Sequence, residues 1–144
     1  MASVREILSR KGSEVVTADP RSSVHEAARL MNSKGIGALP VVEAGVLVGI
    51  FTERDLMRRV VAQDLDPRQT TIGQVMTPDP HTTSVDATVE ECAARMTACR
   101  IRHLPVMGPD GLGGIVTIGD LLAFQVADQA NTIAQLNSFV YDNR

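Results

Sequence analysis

The chain is 144 residues long, 44% apolar and 22% charged, with a net charge of −3, which fits one ordinary domain or two small ones and argues against a disordered chain or a coiled coil. No apolar run approaches the ~20 residues of a membrane span, and no uninterrupted apolar stretch follows Met1 as a secretory signal would need. An acidic chain with no Trp and one Tyr is unsuited to capturing nucleic acid by charge or by stacking, so the expectation is a cytoplasmic protein without nucleic-acid or membrane partners.

In chain order, Val4, Ile7 and Leu8 mark a short apolar lead-in helix. Glu14 to Thr17 reads as a short strand stopped by Pro20. Ser23 with Glu26 predicts a capping box for a helix running to about Lys34. Val24, Ala27, Ala28 and Met31 fall at helical spacing along it, and Gly35 ends it. Ala38 to Val42 and Val46 to Phe51 read as strands around a tight turn at Ala44-Gly45. Their near-continuous apolar character predicts burial on both faces. A second helix starts at Thr52 or Glu53. The polar stretch from Asp64 to Thr71 holds Pro67 and reads as a boundary. Ile72, Val75 and Met76 then open a second lead-in, and the same order follows, with Thr88 and Glu91 as capping box and Gly108-Pro109-Asp110-Gly111 as turn. Beyond it, Thr132 and Gln135 predict a capping box for a C-terminal helix whose Ile133, Leu136 and Val140 share one face. Either a second copy of the chain covers that face, making a dimer, or the helix folds back on its own module.

The order recurs because the sequence repeats. Displaced by 65 residues, Val24, Glu26, Ala28 and Met31 fall on Val89, Glu91, Ala93 and Met96. Ile36, Leu39, Pro40 and Val41 fall on Ile101, Leu104, Pro105 and Val106 in the same register. Gly49, Ile50, Thr52, Asp55 and Leu56 fall on Gly114, Ile115, Thr117, Asp120 and Leu121. The lead-ins match after a three-residue change of offset. The fold class is therefore mixed α/β, two β-α-β-β-α motifs related by a pseudo-two-fold axis. The first motif spans 1–66, the second 67–128, and a C-terminal helix 129–144. A motif of roughly 60 residues buries little core alone, so the two are expected to share one core and unfold together.

The polar residues of the repeat are the candidates for chemistry. Gly49-Ile50-Phe51-Thr52-Glu53-Arg54-Asp55 recurs as Gly114-Ile115-Val116-Thr117-Ile118-Gly119-Asp120. Thr as N-cap and Asp three residues on make a capping box. The same turn also suits a ligand: free N–H groups at a helix start attract phosphate, and a carboxylate accepts both hydroxyls of a ribose. One turn can do both. Gly35-Ile36-Gly37-Ala38-Leu39-Pro40 is matched by Arg100-Ile101-Arg102-His103-Leu104-Pro105. The second copy carries cations beside a buried strand, so they either lie at the surface or face an anion. His81 is a cleft wall or a loop residue. Cys92 and Cys99 lie about 10 Å apart along one predicted helix, too far for a disulfide. No Cys/His spacing suggests a metal site, and no activated nucleophile or acid–base pair suggests an enzyme.

These doubled motifs resemble the tandem cystathionine beta-synthase (CBS) domain family, the Bateman module, over about Val4 to Val126. The resemblance implies a non-catalytic regulatory binder of adenosyl ligands: AMP, ADP, ATP, NAD or S-adenosylmethionine. In such pairs each cleft joins the Thr-x-x-Asp turn of one motif to the first strand and Leu-Pro segment of the other. Carried over, cleft A holds Thr52, Arg54 and Asp55 opposite His81, Thr82, Ile101, Arg102, His103 and Pro105. Cleft B holds Thr117, Gly119 and Asp120 opposite Val16, Thr17, Ile36, Ala38 and Pro40. Asp55 and Asp120 would hold the ribose diol, and the apolar members would sandwich adenine. Arg102-His103 is similar to the basic pair that meets phosphates in energy-sensing kinase gamma subunits. Cleft A gathers Arg54, Arg102 and His103, whereas cleft B has almost no cation near it in sequence, so cleft A is expected to prefer the more phosphorylated ligand. The resemblance also implies a homodimer and a regulated partner protein. The alternative is a scaffold without ligand that modulates a partner enzyme or transporter.

Overall fold

The computed structural model describes residues 2–142, with side chains for 2–138. The first half contributes α1 (Val4–Lys11), α2 (Val24–Lys34), β1 (Ala38–Glu43), β2 (Val46–Thr52) and α3, which begins as Glu53–Asp55 and continues as a π-helix over Leu56–Val61. The second contributes α4 (Ile72–Val75), β3 (Thr77–Pro78), β4 (Thr83–Ser84), α5 (Val89–Cys99), β5 (His103–Gly108), β6 (Gly111–Thr117) and α6 (Ile118–Asp142). The strands form two three-stranded sheets, ordered β1-β2-β3 and β4-β5-β6.

The two central hairpins are near copies. β1 pairs antiparallel with β2, Ala38 opposite Thr52, with an irregularity between Val41 and Val42. β5 pairs with β6, His103 opposite Thr117, with the irregularity at the matching Val106 and Met107. Ala44 and Gly45 take φ of 50° and 78°, the pair of positive angles that the right-twisted two-residue hairpin needs. Capping also follows the repeat. The Thr88 hydroxyl accepts the Glu91 N–H at 3.0 Å, and the Glu91 carboxylate accepts the Thr88 N–H at 3.4 Å. Ser23 accepts the Glu26 N–H at 3.1 Å, so only that half of the expected box forms among the described hydrogen bonds.

Three expectations give way. The Glu14–Thr17 strand is not formed; pairing shrinks to one parallel bridge of Ala18 with Val41. The Asp19 carboxylate accepts the Arg21 N–H at 2.8 Å, and this local turn, closed around Pro20, takes the chain away from the sheet. The C-terminal helix is not separate, because α6 runs unbroken from Ile118. Thr132 therefore lies mid-helix and donates its hydroxyl to the Asp128 carbonyl at 3.0 Å instead of capping. Ile133 and Leu136 are exposed, so α6 does not fold back on the module there; the side chain of Val140 lies outside the described residues.

The third correction concerns the core. It is two clusters, not one, and each takes its lead-in helix from the other half. Val4, Ile7 and Leu8 of α1 pack with Val89, Cys92 and Met96 of α5 and with Leu104, Val106, Val116, Leu121 and Phe124. Ile72 and Val75 of α4 pack with Val24, Ala27 and Met31 of α2 and with Leu39, Val41, Phe51 and Val60. Backbone bonds fasten the exchange: Val4 N–H to the Ala87 carbonyl at 2.9 Å, and Ile72 N–H to the Ser22 carbonyl at 2.9 Å. The swap leaves each half incomplete alone, and it carries the chain after α4 across β2 to the start of α3. Gly49 makes that crossing possible, since a Cβ there would lie 2.9 Å from the Thr77 carbonyl.

Candidate functional site

The crossing builds a cavity of about 660 Å³ between the start of α3, the 77–81 segment and the start of β5. Of the residues expected in cleft A, Thr52, Arg54, Asp55, His81, Ile101, Arg102 and His103 line it. Pro105 does not, because it is buried in the sheet opposite Ile115. Thr82 also stands outside it, its carbonyl taken by Arg95 at 2.6 Å.

Asp55 is 7% exposed and is held from three sides. Its carboxylate accepts the Thr52 N–H at 3.0 Å and the Thr52 hydroxyl at 3.2 Å. The Asp55 N–H in return donates to the Thr52 hydroxyl at 3.2 Å, completing the capping box. Thr77 of β3 adds a hydroxyl at 3.2 Å, and the Arg59 guanidinium stands at 3.6 Å.

Five arginines, 54, 58, 59, 100 and 102, face the cavity against Glu53, Asp55 and Asp79. Two are pinned by carbonyls at helix ends: Arg54 donates to the Arg100 carbonyl at 3.0 Å, and Arg59 to the Met76 carbonyl at 2.9 Å. Among the described residues no carboxylate pairs with Arg58, Arg100 or Arg102. Arg100 caps α5 at φ 54°, where the first half has Gly35 at φ 64°. A side chain in that left-handed region costs about 1 kcal/mol or more. His103 is half-buried, and burial above all lowers its pKa from the ordinary 6.5. Arg102 and Lys11 lower it too, whereas Glu53 and Asp120 oppose them. The imidazole is therefore neutral at pH 7, an acceptor as well as a donor.

Sequence reading missed Arg58, Arg59 and the Thr77–Pro80 stretch, and it noted Arg100 as a cation that could face an anion without placing it in cleft A. Arg58 and Arg59 follow Arg54 and Asp55 by one helical turn, a usable signal. The π-helical turn that also brings Met57 to the wall, through the Ala62 N–H to Met57 carbonyl bond of 2.9 Å, has no such signal.

The residues expected in cleft B are gathered less well. Thr117 and Asp120 repeat the box: Asp120 accepts the Thr117 N–H at 2.9 Å, and its own N–H donates to the Thr117 hydroxyl at 3.1 Å. Gly119 is exposed beside them. Ile36 instead lines a groove of about 380 Å³ between α2 and α3. Ala38 and Pro40 are buried in β1, Val16 packs on the core that holds Ile72 and Val75, and Thr17 is exposed. Almost no cation lies near cleft B in sequence, but the fold brings in Lys11 from 109 positions away, its ammonium 2.6 Å from the Asp120 carboxylate.

Known proteins place this geometry in a family. The family model "CBS domain" matches residues 4–62 and 72–127. The CBS domain-containing protein YhcV of Bacillus subtilis is 35% identical over 137 residues, which are 95% of this chain and 95% of YhcV. A Burkholderia ambifaria protein with CBS domains superposes with a TM-score of 0.85 at 38% identity, over 89% of this chain and 96% of that one. The CBS domain pair of protein MJ0100, solved with 5′-methylthioadenosine and S-adenosyl-L-methionine, superposes with a TM-score of 0.78 at 30% identity, over 89% of this chain and 98% of the other.

Proposed function

This chain belongs to the CBS domain family, and we propose that it is a regulatory module that binds an adenosine-containing ligand in the cavity between its two motifs. The ligand class is AMP, ADP, ATP, NAD or S-adenosylmethionine, and the module acts as an energy or metabolite sensor rather than an enzyme. The observation that carries this is Asp55, a nearly buried carboxylate opening on a cavity of about 660 Å³ ringed by five arginines. A carboxylate seated at a helix start offers acceptors to the two hydroxyls of a ribose. Ile50 and Ile101 offer apolar walls for a base, and Arg58, Arg100 and Arg102 offer unpaired guanidinium groups for phosphate. That charge favours the more phosphorylated members of the class. The MJ0100 pair, whose two ligands both carry adenosine, supports the same choice. Motifs 1–66 and 67–128 respond as one unit, since each core needs the other's lead-in helix.

Isothermal titration with AMP, ADP, ATP, NAD and S-adenosylmethionine tests the reading. Micromolar binding of any of them supports it, with ATP ahead of AMP. Silence across the panel favours a second reading, a ligand-free homodimeric scaffold for a partner protein. The specific observation behind that reading is the exposed apolar row Leu122, Val126, Ile133 and Leu136 along α6.

A further inference from the structure

One wall of the cavity has a second side. Gly37 and Glu53 line the cavity of about 660 Å³, and the same two residues line the groove of about 380 Å³ between α2 and α3. The two spaces therefore meet at this pair. The Glu53 N–H donates to the Gly37 carbonyl at 3.0 Å, which fastens the start of α3 beside the entry to β1. The Glu53 side chain lies over the Gly37 backbone, where a Cβ would collide with its carboxylate. That resting place exists because residue 37 has no side chain. The repeat equivalents of Gly37 and Glu53 are Arg102 and Ile118, so glycine and carboxylate together are a feature of the first motif.

The chemistry differs on the two sides of this wall. On the cavity side, Arg58, Arg100 and Arg102 have no carboxylate partner among the described residues. On the groove side, Ala28, Met31, Ile36 and Leu56 offer apolar surface, and Asn32 offers an amide. Glu53 stands between, and its carboxylate pairs with no cation among the described residues. His103 faces it, but that imidazole is neutral at pH 7. A ligand that meets all three demands has an anionic middle for the arginines, a cationic group for Glu53, and a flat apolar end that can hydrogen-bond in the groove. AMP, ADP and ATP supply only the anion. S-adenosylmethionine supplies a cation but no phosphate. Oxidised NAD supplies all three, in its diphosphate, its pyridinium ring and the carboxamide on that ring.

We infer that the groove between α2 and α3 is the nicotinamide subsite of a dinucleotide held through Asp55, with Glu53 the residue that favours the oxidised, cationic ring. The module then reads the ratio of oxidised to reduced dinucleotide. This rests on the adenosyl reading of the cavity and deepens it by naming the ligand.

The test is isothermal titration of the full chain, Glu53→Gln and Ala28→Leu with AMP, ADP-ribose, oxidised NAD and NADH. ADP-ribose lacks only the nicotinamide, and NADH keeps the ring without its charge. The natural chain should bind oxidised NAD about tenfold more tightly than ADP-ribose, the scale of one half-buried ring. It should prefer oxidised NAD to NADH roughly threefold, the scale of a partly screened ion pair. Glu53→Gln keeps the length of the side chain and should bind the two redox forms equally. Ala28→Leu fills the groove and should lower NAD to the level of ADP-ribose while leaving AMP unchanged. Should Ala28→Leu fail to fold, Ile36→Ala removes a half-exposed wall of the groove and is read in the same way. If the natural chain binds NAD no more tightly than ADP-ribose, or no more tightly than NADH, the inference is overturned; AMP binding then leaves the adenosyl reading standing. Preferences that persist unchanged in the variants overturn it as well. No binding of AMP, ADP-ribose or NAD overturns both readings.

Discussion

Asp55→Asn separates the two duties that one carboxylate performs. The substitution keeps the shape and one acceptor oxygen, so the Thr52 N–H bond of 3.0 Å is retained. What goes is the charge and the second oxygen, which meets the Thr77 hydroxyl at 3.2 Å and faces Arg59 at 3.6 Å. Weakening a cap of this kind costs about 1 kcal/mol, or roughly 3–4 °C in melting temperature for a chain of this size. The ligand side is larger. A hydrogen bond to a charged group is worth about 1.5–3 kcal/mol, so losing one such bond to a ribose hydroxyl lowers ribonucleotide affinity roughly 10- to 100-fold. Titrating AMP and 2′-deoxy-AMP into both chains isolates that bond. The natural chain should prefer AMP by a factor of that order, and Asp55→Asn should bind the two about equally. If the preference for AMP is the same in both chains, Asp55 does not hold the ribose, whatever the absolute affinities.

Four further outcomes follow from the same geometry. Ile72→Ala, at a fully buried position of the core formed with α2, β1 and β2, should cost about 2–5 kcal/mol and speed amide exchange in α2, β1 and β2; exchange speeding only within residues 72–128 would contradict the swapped packing. Arg102→Ala with His103→Ala should weaken ATP or NAD more than adenosine by titration, and equal losses would remove the phosphate role. Arg100→Gly should relieve the φ of 54° and raise the melting temperature by roughly 3 °C, reflecting about 1 kcal/mol, while weakening ATP. For pH, burial lowers the His103 pKa from 6.5 in the folded chain, so the unfolded chain takes up the proton first. Stability from that neutral imidazole is complete above pH 6.5 and is lost as pH falls through the lower folded value. Denaturant midpoints at pH 7.5 and 5.5 should show the fall, and His103→Gln should reduce it.

The hairpins, the caps and the helix stops were legible because each is decided within a few residues. Ala44-Gly45 admits one kind of turn, Thr88 and Glu91 reach each other across one helical turn, and Gly35 supplies the left-handed angle that ends α2. The 65-residue repeat extended these local signals to a fold class and aligned Asp55 with Asp120. The rest depends on contacts between distant segments, which no local pattern encodes. Val4, Ile7 and Leu8 are an apolar stripe that would fit either core, and only packing decides that α1 covers α5 while α4 covers α2. The same exchange sets Thr77 against Asp55 across 22 positions and Lys11 against Asp120 across 109. A repeat predicts two equal sites, because it is blind to what distant segments bring; the fold makes them unequal by placing the Thr77 hydroxyl and the Arg59 guanidinium beside Asp55 and the Lys11 ammonium beside Asp120.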